Sequence, residues 1–248
     1  MRLAKGNGLV YKVWDAGMMM AGAKVDKALE TLVYAALPHV AFEGWSPAAL
    51  AQAAADSGLT LAQAQALVPR GGVDLALAYH RLGDAQMVSA LAAQDLQALR
   101  FRDRVTLAVR LRLQDADAEA VRRGTALFAL PLYAADGARA LWGTADAIWV
   151  ALGDASDDVN WYSKRATLSA VYAATVLFWL GDDSLDHAET WACLDRRIAN
   201  VMAFEKAKAA FNANPLGKAL MTGPLAFFDR IRAPHVPQDL PGSYRKGI

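Results

Sequence analysis

Apolar residues recur along most of the chain at intervals of three and four, alanine is abundant and β-branched runs are rare. That pattern predicts helices throughout and no strands, an all-α fold. A first helix is expected over about 24–37, with Ala28, Leu32, Ala35 and Ala36 on its inner face and Pro38 near its end. Ser46-Pro47 supplies an N-cap followed by proline at the first helical position, where the missing N–H costs nothing, and Gly58 supplies a stop. The result is a helix of about 47–57. Thr60-Leu61-Ala62-Gln63 reads as a capping box, each side chain satisfying a backbone N–H that the helix leaves unpaired, and this helix must end before Pro69. Helix, glycine turn, helix is the spacing of a helix-turn-helix.

Gly71-Gly72 breaks the chain before an Ala/Leu/Arg-rich region of about 74–123, read as two helices with Arg100, Asp103, Arg104 and Arg112 on solvated faces. A turn near Pro131 and Gly137 leads to a stripe of Ala138, Leu141, Trp142, Ala145, Ile148, Trp149 and Leu152. Asp157 and Asp158 suit the positive end of the next helix, which runs to about Leu180 and is closed by Gly181. Another helix follows at about 185–210, with Trp191, Leu194, Ile198 and Val201 on one face. After Asn214-Pro215, Leu216, Leu220, Phe227 and Ile231 share a stripe flanked by Met221 and Phe228, while Lys218, Asp229 and Arg230 lie away from it. This helix is expected to dock on a membrane surface; the alternative is packing on its own domain or a dimer mate. The organisation expected is a lead-in at 1–22, a helix-turn-helix-like region at 23–73, a helical lipid-binding and dimerisation domain at 74–210, an amphipathic helix at 211–232 and a tail at 233–248.

With 248 residues, 55% of them apolar, the chain can bury a sizeable core. Lys and Arg (26) balance Asp and Glu (25), so bulk charge recommends neither nucleic acid nor an acidic surface. Cys193 is the only cysteine, which excludes an intrachain disulfide and fits a reducing compartment; within a helical pattern it reads as a small buried hydrophobe. The run Met18-Met19-Met20 is shorter than a secretory core. Ala166 to Gly181, the longest uncharged stretch, falls short of the roughly 20 residues a membrane span needs and reads as a core helix.

The chemistry-bearing motifs are missing. No glutamate stands in the Glu-x-x-His spacing that a di-iron bundle uses, and His39, His80, His187 and His235 are scattered. Asp182, Asp183, Asp186 and His187 form the densest group, but carboxylates at a helix start need no metal to explain them. Phosphate-binding glycine loops and a nucleophile elbow are absent, so no catalytic residue, metal or cofactor is expected. An enzyme working through Asp183 and His187 would need a pairing that the sequence does not provide. From Ala28 to Pro69 there is no Lys or Arg, and the would-be reading helix Leu61–Leu67 offers only two glutamines. Affinity for DNA rests on neutralised phosphates, so no nucleic-acid partner is expected.

Trp142, Trp149, Val171, Tyr172, Val176 and Trp179 give the helices around 138–152, 158–180 and 186–205 unusually aromatic faces. They fit the walls of an apolar lipid-binding cavity, and each also fits plain core packing. Trp161 and Arg165, four residues apart, share a helical face that suits a partner surface, or a core aromatic beside a solvated arginine.

The run Asp157-Asp158-Val159-Asn160-Trp161-Tyr162-Ser163-Lys164-Arg165 through Tyr172 resembles the core of the ubiquinone (coenzyme Q) biosynthesis accessory lipid-binding proteins. Supporting stretches are Trp45 to Leu59, Pro69 to Leu75, Asp146 to Trp149 with Gly153-Asp154, and Glu189 to Arg197, so the resemblance covers most of the chain. It implies a TetR-repressor-like fold without DNA binding, usually a homodimer. The implied role is non-catalytic: carrying an isoprenoid quinone intermediate to a di-iron hydroxylase. It also implies a partner-facing patch on Asp146, Ile148, Asp158, Trp161, Tyr162 and Arg165. Val159 departs from the family, where eukaryotic relatives tend to have an aromatic. The missing targeting segment implies a bacterial protein, cytoplasmic and peripherally attached to the inner membrane. The alternative for such a scaffold is a TetR-type ligand-responsive transcriptional regulator.

Overall fold

The computed structural model describes residues 27–213 and 232–234. Among them are nine α-helices and no strand: α1 (Lys27–Glu43), α2 (Pro47–Asp56), α3 (Leu61–Leu67), α4 (Gly72–Ala92), α5 (Phe101–Gln114), α6 (Ala118–Phe128), α7 (Ala134–Ala151), α8 (Val159–Trp179) and α9 (Ala188–Ala213). The stretches expected to form a lead-in and a membrane helix, including Leu216, Leu220, Met221, Phe227, Phe228 and Ile231, lie outside the described residues.

Local hydrogen-bond chemistry starts the helices where the sequence places the caps. The Ser46 side chain accepts the Ala49 N–H, the Thr60/Gln63 box is closed in both directions, and the Asp158 carboxylate accepts the Asn160 N–H. Asp117 does the same for Ala120 and so starts α6 at residue 118; the region read as two helices over 74–123 therefore holds α4, α5 and the first turns of a third.

Pro38 does not end α1. The helix continues through it to Glu43, because Val40, one turn beyond Ala36 and two beyond Val33, is fully buried with them. Proline forfeits one hydrogen bond, and the burial of the next turn offsets that loss. Gly137 is likewise no turn residue. It sits in α7 against α6, where an added Cβ would lie 2.7 Å from Phe128 Cβ, so the glycine permits the close approach of two helices. Gly72 does the same at the start of α4, where a Cβ would meet the Trp45 carbonyl oxygen at 2.0 Å.

The core forms two apolar clusters. One gathers Leu32, Val33, Ala36, Val40, Leu50, Ala53 and Leu75 from α1 to α4; the other gathers Met87, Leu91, Val109, Leu113, Ile148, Leu168 and Leu194 from α4, α5 and α7 to α9. Helix α4 serves both, through Leu75 to Leu82 in the first and Met87 and Leu91 in the second. The division expected after residue 73 thus falls beside one continuous helix, and residues of α6 (Ala120, Leu127, Phe128) also join the first cluster. Cys193 is buried, as a small hydrophobe would be. No helix among the described residues is long and apolar enough to cross a membrane.

Candidate functional site

A cavity of about 380 Å³ opens at the seam of the two clusters, between α4, α5, α6, α7 and α8. Its walls are rich in alanine: Ala76, Ala120, Ala129, Ala134, Ala138, Ala140 and Ala173. Methyl side chains hold the helical faces polar-free without filling the space between them, and that leaves room where leucines would have closed it. Trp45, Phe128, Leu141, Tyr172, Val176 and Leu177 add larger apolar surface. A second hollow of about 380 Å³, lined by Tyr34, Gln86, Asp115 and Asp117 among others, shares Tyr79 and Arg112 with the first.

The inner end of the cavity carries a polar group that crosses four helices. Arg112 is 5% exposed, which corrects its expected place on a solvated face. Its Nε donates to Asp84 Oδ1 at 2.6 Å and its Nη2 to the His80 carbonyl at 3.0 Å. The Thr144 hydroxyl lies 2.7 Å from His80 Nε2 and 2.9 Å from Asp84 Oδ1. The Tyr172 ring lies under the Arg112 guanidinium at 6.0 Å. Burial pushes the His80 imidazole down to about 4, so it is neutral near pH 7, and pushes the Tyr172 phenol up to about 12, so it keeps its proton. Burial alone would lower the Arg112 pKa; the charge of Asp84 and its hydrogen bond outweigh burial and raise it, so the cation persists. Sequence reading missed this group, although Arg112 stands on the stripe Val105, Ala108, Val109, Arg112, Leu113, all buried, and His80 precedes Asp84 by one helical turn.

Of the six residues expected to line a cavity, Tyr172 and Val176 do so and four do not. Val171 and Trp179 pack into the second core cluster, to which Tyr172 and Val176 also belong, and do not reach the cavity. Trp149 stacks on Phe101 at 5.5 Å and donates its indole N–H to the Lys164 carbonyl. Trp142 joins a separate aromatic corner with Trp161 at 5.8 Å and Tyr162 at 6.4 Å, while Trp161 and Tyr162 meet edge to face at 4.8 Å. The helical period decides this: on α8 the cavity takes positions 172, 173, 176 and 177, and the intervening face packs into protein.

The aromatic corner is also where the expected partner-facing residues gather, with two corrections. Ile148 is fully buried in the core and cannot face a partner. Arg165 is 2% exposed: it donates to Asp146 at 2.5 Å, to Asp154 at 3.1 Å and to the Trp161 carbonyl at 3.2 Å, and its guanidinium lies 4.0 Å from the centre of the Trp161 ring. It supports the Trp161 ring from beneath. Burial alone would raise the Asp154 carboxyl, but hydrogen bonds from Lys164, Ser156 and Arg165 outweigh it and hold it at about 2. Asp146, Asp158, Trp161 and Tyr162 keep part of their surface open. The short segment at residues 232–234 lies against the same corner, with the Tyr162 hydroxyl donating to the Arg232 carbonyl at 3.3 Å and the Ala233 N–H to the Asp157 carbonyl at 2.8 Å.

The Asp182 group is a helix cap. Its carboxylate accepts the Ser184 and Thr190 N–H groups and the Thr190 hydroxyl, which holds the acid well below the usual carboxylate range. Among the described residues no group of three His, Cys, Asp or Glu is arranged to hold a metal ion.

An all-α fold with a short helix pair, α2 and α3, at one end and a cavity between the longer helices is similar to that of the TetR regulators. A crystal structure of a TetR transcriptional regulator from Nitrosomonas europaea superposes with a TM-score of 0.57 at 17% identity, covering 70% of this chain and 97% of that one. At this identity the likeness concerns the fold. In sequence, the family model described as COQ9 matches residues 134–205, which include α7, α8 and most of α9. Curated relatives carry the name of ubiquinone biosynthesis protein COQ9, mitochondrial. The rat protein is 29% identical over 77% of this chain and 64% of its own length, and the Xenopus tropicalis protein 30% over 76% and 62%. A probable ubiquinone biosynthesis protein coq9 of Dictyostelium discoideum is 29% identical over 69% of this chain and 59% of its own length. The resemblance carried by the Asn-Trp-Tyr block is thus borne out as similarity to the COQ9 proteins, and the chain spans about three fifths of the length of these relatives.

Proposed function

We propose that the chain is a non-catalytic accessory protein of ubiquinone biosynthesis that binds an isoprenoid quinone intermediate and presents it to a di-iron hydroxylase. The observation that carries this reading is the alanine-walled cavity of about 380 Å³, within the range of roughly 300–1000 Å³ typical of small-molecule sites. Its relatives' names supply the pathway. The reading includes a homodimer, docking of the hydroxylase at the corner formed by Trp161 and Tyr162, and attachment of the 215–248 segment to an anionic membrane, inside a bacterial cell. The TetR-like alternative is favoured by the fold, but a stretch without Lys or Arg from Ala28 to Pro69 has nothing with which to neutralise phosphates.

Organic extraction of the protein purified from a ubiquinone-producing host, followed by mass spectrometry, tests the cargo. A bound prenylated ring compound or other lipid is expected; a protein free of lipid contradicts the reading. Trp161→Ala tests the docking corner, with weaker hydroxylase binding expected at a nearly unchanged melting temperature. Flotation with anionic liposomes tests the membrane segment, since removal of residues 215–248 should abolish binding.

A further inference from the structure

The polarity of the cavity runs from an apolar rim to a polar interior. Leu177 at the rim is 62% exposed, with Ala129, Ala134 and Ala138 also exposed, and the turn between Ala129 and Ala134 adds the exposed Leu130 and Leu132. The polar residues sit at the buried end, where Tyr172 is 2% and Arg112 5% exposed. Tyr172 retains hydrogen-bonding capacity there. Its hydroxyl makes no hydrogen bond with any described residue, whereas the Arg112 guanidinium is bonded through Nε and Nη2 and packs its Nη1 edge against Gly83. A hydroxyl without an acceptor at the end of an apolar cavity is well placed to receive a ligand oxygen. The remaining members of the group satisfy one another: Asp84, Thr144 and His80 are joined by bonds of 2.7 to 2.9 Å.

We propose that an amphiphile enters this cavity polar end first. A carbonyl or aryl ether oxygen of its head accepts a hydrogen bond from Tyr172 Oη beside the Arg112 guanidinium, while its apolar chain runs out past Ala138, Ala173 and Leu177. This rests on the lipid-carrying reading and adds the direction of the cargo. A cavity near the lower end of the small-molecule range holds a substituted ring and the first part of a chain, and a longer chain continues over the apolar rim. The head is therefore shielded while it is carried and must turn outward before any enzyme reaches it, the reverse of a carrier that buries the tail and displays the head.

Isothermal titration calorimetry of the full chain with two probes of equal chain length tests the assignment: a short-tailed alkyl benzoquinone, and an alkylbenzene that lacks ring oxygens. The wild-type protein should bind the quinone about tenfold more tightly than the alkylbenzene. Tyr172→Phe should cost about fivefold to tenfold in quinone affinity, the range for one hydrogen bond, and leave the alkylbenzene unchanged. It removes a hydroxyl with no protein partner, so the melting temperature should not fall. Quinone binding unaltered by Tyr172→Phe, or equal losses for both probes, overturns the head-first assignment while the carrier reading stands. If the wild type binds neither probe, the carrier reading and this inference fall together.

Discussion

Two buried arginines, Arg112 beneath the cavity and Arg165 beneath the aromatic corner, use the same device to different ends. Each holds a carboxylate at close range in a setting that water barely reaches. Arg165 is engaged through Nε and Nη1 by two aspartates and a backbone carbonyl, with the face of Trp161 against its guanidinium, so it works as a fixed support for the exposed rings. Arg112 is likewise bonded through two of its nitrogens, but it stands beside the cavity and the Tyr172 ring. What separates the two cations is the neighbour each one serves, a packed aromatic corner at Arg165 and open space at Arg112.

The comparison can be broken first at Arg165. Arg165→Met takes the arginine from Asp146 and leaves Asp154 with Lys164 alone as its cation, and removing one member of a buried ion pair costs about 3–5 kcal/mol. Urea denaturation should register that loss together with a blue-shifted change in Trp161 fluorescence; a loss below about 1 kcal/mol would deny the support role. The Asp154 carboxyl is held below its unfolded value, so its contribution is present above about pH 4 and disappears as the pH falls toward 2, a slope that Asp154→Asn should flatten.

The cavity side titrates in a different window. His80 has its folded pKa pushed down by burial to about 4, below the ordinary 6.5, so folding keeps it neutral and its stabilisation is complete above about pH 6.5 and lost as the pH falls toward 4. The full swing is about 3 kcal/mol. Denaturation midpoints measured between pH 7 and 4 should fall for the wild type and stay flatter for His80→Gln, which keeps a hydrogen-bonding group without titrating. Parallel curves would remove His80 from the buried group.

A smaller effect belongs to the helix contact that shapes the rim. Gly137→Ala places a methyl 2.7 Å from Phe128 Cβ, and overpacking of this kind costs roughly 1–3 kcal/mol. Both residues line the cavity, so thermal denaturation should show the loss and ligand binding should weaken with it. Least of all, Thr60→Ala removes one side of a capping box far from either arginine and should cost about 1 kcal/mol with no effect on binding.

The caps at Ser46, Thr60 and Asp158 were legible because they are made by residues within a few positions of one another. Pro38 and Gly137 were misread by the same local logic, since a neighbouring helix decides the outcome at both. The burial of Arg112 was visible as a charged residue on an apolar stripe, whereas its partner Asp84 comes from another helix and has no local signature. Aromatic faces pointed to the wrong walls for a physical reason: large rings fill space, and it is the alanines of α6, α7 and α8 that leave it open.

Native mass spectrometry of the wild type beside Ala173→Phe, both expressed in the same ubiquinone-producing host, puts the central claim to the most direct test, because Ala173 lies on the cavity wall between Tyr172 and Val176. The wild type should carry a lipid mass that is reduced or lost in a folded Ala173→Phe protein. Equal loading of the two proteins, or none in the wild type, would contradict a cargo held in this cavity.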